Sequence, residues 1–171
     1  MTGVMRGLAV AAATMLAAPA GAQAPREYET LDVAELQQIV EQGGLQVVAI
    51  EPRNIMASDG KGAPVRLSLA GCDVHGQCRV VRAYTRYIIG GSERGAAAVD
   101  DFSRNFTSAT LIRLLAADEP AVDVGRDASL EGGRAAGEII GEIATAMSDA
   151  RLLRDRLMEA DPFLKATLGR R

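Results

Sequence analysis

With 171 residues, no tryptophan and only 4 % aromatic side chains, this chain is poorly equipped as a stacking platform for sugars or bases. Its formal net charge of −3 argues against general nucleic-acid binding, which calls for a basic footprint. A hydrophobic fraction of 48 % supplies enough apolar surface for a core.

The opening segment, MTGVMRGLAVAAATMLAAPAGAQA, carries Arg6, an apolar run from Gly7 to Ala18, and small residues at Ala22 and Ala24. That layout predicts a secretory signal peptide cleaved after Ala24 and a periplasmic location. The run is shorter than the ~20 residues that span a bilayer, and no later stretch approaches that length, so no transmembrane segment is expected in the mature chain. Removing residues 1–24 from the 171 leaves 147, residues 25–171, the size of one domain. Arg6 is the only charge removed, so 18 basic side chains face 22 acidic ones.

After a short arm over residues 25–30, Asp32 and Glu35 have capping-box spacing, and Leu36, Ile39 and Val40 recur at helical intervals until Gly43-Gly44. Leu45 to Glu51 is rich in β-branched residues and reads as a strand. Pro52 to Gly62 holds Asn54, Asp59, Gly60 and Gly62, so it reads as a polar loop or wide hairpin connection. Pro64 to Cys72 alternates apolar and polar residues, and Cys78 to Ile89 is a longer strand-like run that Gly90-Gly91-Ser92 breaks. Ala96 to Phe106 follows as a helix with Val99, Phe102 and Phe106 on one face. Ala109 to Leu115 and Ala121 to Val124 read as strands. Gly132-Gly133 introduces a long helix with Ile139, Ile143, Met147, Ala150 and Leu157 in one stripe. Asp161-Pro162 ends it and caps a further short turn to Leu168. The order α-β-β-β-α-β-β-α predicts an α+β domain, with an antiparallel sheet of about five strands and helices packed on one face.

An exported chain with two cysteines is expected to oxidise them, because the periplasm is held oxidising. If Cys72 and Cys78 oppose each other across a five-residue loop, Leu69 faces Val81, Leu67 faces Ala83 and Val65 faces Thr85. Ser68 then faces Arg82, and Arg66 faces Tyr84. One face comes out apolar and the other polar, as a half-solvated antiparallel pair requires, and both cysteines fall on the polar face. This register supports a Cys72–Cys78 disulfide. Two other readings of the loop stay open. Cys72, His75 and Cys78 together offer two soft sulfurs and the chain's only histidine to a metal, although no fourth ligand stands nearby. A redox-active pair would lack the Cys-x-x-Cys spacing of thioredoxin-like chemistry.

The same register gathers Arg66, Arg82, Tyr84 and Arg86 on the face turned from the core, and Arg113 joins them if Thr110, Ile112 and Leu114 point inward. Arginine forks suit carboxylates and phosphates, which makes this a candidate binding face; the plainer reading is a solvated face whose arginines pair with nearby Asp or Glu. Leu152, Leu153 and Met158 widen the apolar stripe of the last helix and offer a second surface for a partner or a second copy, or simply more core.

Catalytic motifs do not emerge. There is no Gly-x-Ser-x-Gly elbow, phosphate-binding glycine loop or His-Glu-x-x-His motif. Asp100-Asp101 are adjacent on a helix, where side chains diverge by about 100° and pair poorly for acid–base work. Asp118, Glu119 and Asp123 cluster at a turn without EF-hand spacing. No catalytic residue, resident metal or cofactor is assigned, and an enzyme is not expected.

Four stretches carry a resemblance to a known family: LDVAELQQIVEQGGLQVVAI, the Cys72–Cys78 hairpin with its long strand, VDDFSRNF, and ATLIRLL with LEGG before the last helix. From about Leu31 to Leu157 the chain resembles the YbjN-type domain family, described as bacterial sensory transduction regulators. Where that family tends to show Ile-Asn-x-Trp-Asn, this chain has Val99-Asp100-Asp101-Phe102-Ser103, keeping a hydrophobic anchor at Phe102. The resemblance implies a fold similar to type III secretion chaperones and a mode of action by binding a protein segment or pairing with itself. The leading expectation is a non-enzymatic periplasmic protein-binding or regulatory module with a protein or peptide partner. The alternatives are a metal-handling protein using Cys72, His75 and Cys78, and a homodimeric envelope structural or stress protein joined through a strand edge or the final helix.

Overall fold

The structure, a computed structural model, describes residues 26–105, 120–168 and the backbone of 110–114. The expected signal peptide over 1–24, Phe106, and the acidic pair Asp118-Glu119 lie outside the described residues. In chain order the elements are β1 (Glu27–Tyr28), α1 (Val33–Gln42), β2 (Gln46–Glu51), β3 (Asn54–Ser58), β4 (Val65–Cys72), β5 (Cys78–Ile88), α2 (Glu93–Asn105), β6 (Thr110–Leu114), β7 (Ala121–Ser129), β8 (Arg134–Ala135), α3 (Ala136–Ala160) and α4 (Pro162–Leu168).

Local chemistry accounts for the helix starts. Asp32 Oδ1 accepts from the Glu35 N–H at 2.8 Å, and Glu35 Oε2 accepts from the Asp32 N–H at 3.3 Å. This reciprocal box satisfies two backbone donors at the start of α1, and such a cap is worth about 1 kcal/mol. Ser92 Oγ accepts from the Gly95 N–H at 2.9 Å, which starts α2 at Glu93, three residues earlier than its apolar spacing suggests. Asp161 Oδ1 accepts from the Phe163 N–H at 2.8 Å and sets off α4, as the Asp-Pro pair predicts.

Six strands form one sheet in the order β2-β3-β4-β5-β7-β6, all neighbours antiparallel, and β1 pairs with β8 in a separate two-stranded ribbon. The sixth strand is β3, within the segment read as a loop. It is short and begins and ends on polar residues, so only Ile55 and Ala57 mark its buried side. β7 also runs five residues past Val124, through Gly125-Arg126-Asp127, which carry no strand-like apolar signal.

The pleat sorts side chains cleanly. Val65, Leu67 and Leu69 of β4 and Val81, Ala83 and Tyr87 of β5 are buried on the side that faces the helices, whereas Arg82 and Arg86 are exposed on the other. Two clusters lie along α3. Ile139, Ile143 and Met147 pack with Leu36, Ile39, Leu67 and Val81, while Leu153 and Leu157 pack with Val99, Phe102, Tyr87, Val122 and Leu164. Each fully buried Leu, Ile or Phe contributes roughly 1.5–3 kcal/mol. Leu153 is core, and Leu152 and Met158 pack partly buried against the second cluster, so the apolar widening of the last helix is spent inside the fold.

Candidate functional site

The hairpin has the register that its alternation predicts: Leu69 opposes Val81, Leu67 opposes Ala83, Ser68 opposes Arg82, Arg66 opposes Tyr84 and Cys72 opposes Cys78. The two sulfurs stand at disulfide-bonding distance. Asp73 ties the connecting loop, its Oδ1 accepting from the N–H groups of His75 at 2.8 Å and Gln77 at 3.0 Å. The Gln77 N–H, foremost among these donors, holds the Asp73 carboxyl below the usual carboxylate range.

The cysteines do not lie on the polar face. Cys78 is 2 % exposed within the first core cluster, and Cys72 packs against that cluster. Two backbone features explain the departure. Gly71 has φ 64°, in the left-handed region, and interrupts the pleat immediately before Cys72. The arm before α1 then lies along the hairpin: Cys78 N–H donates to Leu31 O at 2.8 Å and Leu31 N–H to Cys78 O at 2.9 Å. His75 is exposed at the loop tip. Among the described residues no three His, Cys, Asp or Glu side chains are grouped to hold a metal ion.

The sheet face turned from the helices gathers Arg66, Arg82, Tyr84 and Arg86, and the arginines there form a ladder of ion pairs. Arg66 Nη1 meets Glu51 Oε2 at 3.2 Å, and Arg82 Nε meets Asp127 Oδ2 at 3.3 Å. Arg86 grips both oxygens of Asp123, Nε to Oδ1 at 2.7 Å and Nη2 to Oδ2 at 2.8 Å. Register sets the last two, since Arg82 opposes Asp127 and Arg86 opposes Asp123 across β5 and β7. The bidentate bond to Asp123 raises the Arg86 guanidinium further above its ordinary range. Between these pairs Tyr84 opposes Gly125, where a Cβ would strike Ala83 O and come within 2.7 Å of Tyr84 Cα, so only glycine allows so close an approach. In β6, Arg113 is in register with Val122, and Ile112 is in register with Asp123. Arg113 therefore does not share the row of Arg86; its side chain lies outside the described residues. Asp123, read as one of a turn cluster of acids, is committed to Arg86.

A third feature was not legible in the sequence. A cavity of about 560 Å³ opens where the end of β5 meets α3 and α4, lined by Tyr87, Ile89, Arg154, Phe163, Leu164 and Leu168 among others. Tyr87 is buried, its hydroxyl donating to Ala150 O at 2.9 Å, and burial pushes its phenol up to about 12. α4 is fastened over this end by Asp161, whose carboxylate accepts from the Ser92 hydroxyl. That bond, with the Phe163 N–H, holds the Asp161 carboxyl below its usual range. The lining residues come from three distant segments, so no local pattern announces them.

No protein-family model matches the sequence, and no curated protein matches it. Among solved structures the chain is similar to YbjN from E. coli, described as a candidate transcription regulator. Sequence identity is 10 %, the TM-score is 0.59, and the match covers 76 % of this chain and 91 % of that one. The six-stranded antiparallel sheet with its helices on one side is a YbjN-type fold.

Proposed function

We propose that this chain is a non-enzymatic binding module of the bacterial periplasm that recognises a protein partner through its open sheet face. The observation that carries this reading is the ladder of three guanidinium–carboxylate pairs on the side of the sheet away from both core clusters. Because each guanidinium already holds a carboxylate, a free phosphate or carboxylate would have to displace Glu51, Asp123 or Asp127. Nucleic-acid phosphates would meet those same acids. A protein surface with alternating charges of its own meets the ladder without breaking any pair, and such complementarity gives specificity more than raw affinity. The likeness to YbjN agrees with a regulatory or binding role. Export is read from residues 1–24, and in that compartment Cys72 and Cys78 are oxidised and pin the hairpin.

The test compares wild-type chain with the Arg66→Gln/Arg82→Gln variant in cross-linking from periplasmic extract. The wild type is expected to capture a defined protein that the variant loses at least tenfold, with unchanged circular dichroism. Equal capture by both rules out the sheet face as the recognition surface. Recovery of the chain from the cytoplasm with residues 1–24 intact rules out the export reading.

A further inference from the structure

We propose that the outer edge of β2 is a homodimerisation surface, on which β2 of a second copy of this chain adds in antiparallel register and continues the sheet. This inference stands apart from the guanidinium ladder and does not depend on it. β2 ends the strand order of the sheet, so among the described residues the backbone N–H and C=O groups on its outer side have no strand to pair with. An edge of that kind is a template for a further strand. Its residues are apolar from Val47 to Ile50, and neither lysine nor proline stands within it to discourage pairing. Val48 is 61 % exposed and Ile50 52 %, so this short strand holds two of the five exposed large hydrophobic side chains among the described residues.

Charge, register and twist make the occupant a second copy. Glu51 is the only charged residue of β2, and it already meets Arg66 Nη1 at 3.2 Å, so two such strands approach without net repulsion. When Ala49 faces the partner's Ala49, Val48 faces the partner's Ile50 and Ile50 the partner's Val48. Each exposed apolar side chain then covers the other, as a two-fold interface requires. Glu51 faces the partner's Val47, which puts the two carboxylates at opposite ends of the ribbon. The register of β2 with β3 shifts between Val47 and Ala49, a bulge that increases the twist of the strand. That twist mismatches a flat strand, whereas a second copy carries the same twist at the same residues. With six residues a side the ribbon buries less than about 1,200 Å², so the dimer forms reversibly.

The experiment is sedimentation velocity of mature protein from micromolar to millimolar concentration. The expected result is a sedimentation coefficient that rises from the monomer value to that of a dimer. The Val48→Lys/Ile50→Lys variant, changed only at exposed positions, should keep its urea midpoint and stay monomeric throughout. Because the native cysteines are bonded to each other, one added cysteine reports the register. Ala49→Cys should form an interchain disulfide in air, whereas the two copies of Gln46→Cys, about 20 Å apart in this register, should not. A monomer at every concentration overturns the proposal, including one that captures a strand of another protein along β2. So does a dimer that survives Val48→Lys/Ile50→Lys, or failure of Ala49→Cys to cross-link ahead of Gln46→Cys.

Discussion

The sheet face and the cavity both present arginines, and the two regions hold them differently. On the sheet face Arg86 is locked to Asp123 by two short bonds, and Arg66 and Arg82 each meet a carboxylate. In the cavity Arg154 keeps a buried N–H with no acceptor among the described residues. The ladder is set by strand register, so its charges come in matched rows. The cavity is assembled from a strand end and two helices, and Arg154 there meets only its sequence neighbour Asp155, Nη2 to Oδ1 at 3.4 Å. The difference is between pairs that strand register aligns and a pair made within one helix.

The comparison can be broken most forcefully at Gly125. Gly125→Ala places a Cβ against the backbone of Ala83 and Tyr84, so it should cost about 3 kcal/mol or more and separate the Arg82 and Arg86 rows, read by urea denaturation. Next in size is the disulfide. The Cys72→Ser/Cys78→Ser variant should lose about 2 kcal/mol, since the bridge closes a loop with a sequence separation of only six.

Asp123→Asn sharpens the contrast directly. It removes the anionic partner of a guanidinium that is 54 % exposed, so the expected cost is about 1 kcal/mol. Arg154→Leu should change the unfolding free energy by no more than about 0.5 kcal/mol, because the one pair it loses is with the exposed Asp155 at 3.4 Å. The smallest effect is one of pH. The Asp161 carboxyl is held below its usual range, so its contribution is complete above that range and is lost as pH falls through the lowered value. Amide protection in α4, relative to the intrinsic exchange rate, should therefore fall below about pH 4, and Asp161→Asn should remove that dependence.

Much of this was written in the alternation of the chain. Val65, Leu67 and Leu69 against Val81 and Ala83 are spaced so that only one register keeps a buried face, and the structure adopts it. The arginine positions of the ladder followed from that register. Their acceptors did not, because Gly125-Arg126-Asp127 has no apolar rhythm and the strand that aligns Asp127 with Arg82 was read as ending at Val124. The buried Cys78 was equally hidden: its cover is Leu31, and the contact is between backbone groups 47 residues apart, which side-chain pattern does not encode. The cavity needs Tyr87, Arg154 and Phe163 to meet, a matter of how α3 and α4 cross the end of β5 rather than of any local spacing.

The central claim, that strand register sets the guanidinium ladder, is tested most directly by the arginine Nε–H resonances of the Asp123→Asn and Asp127→Asn variants. The account predicts that the Arg86 resonance moves on the first change and the Arg82 resonance on the second, while that of Arg154 stays where it is. Movement of Arg154 with Arg82 and Arg86 unchanged would contradict it.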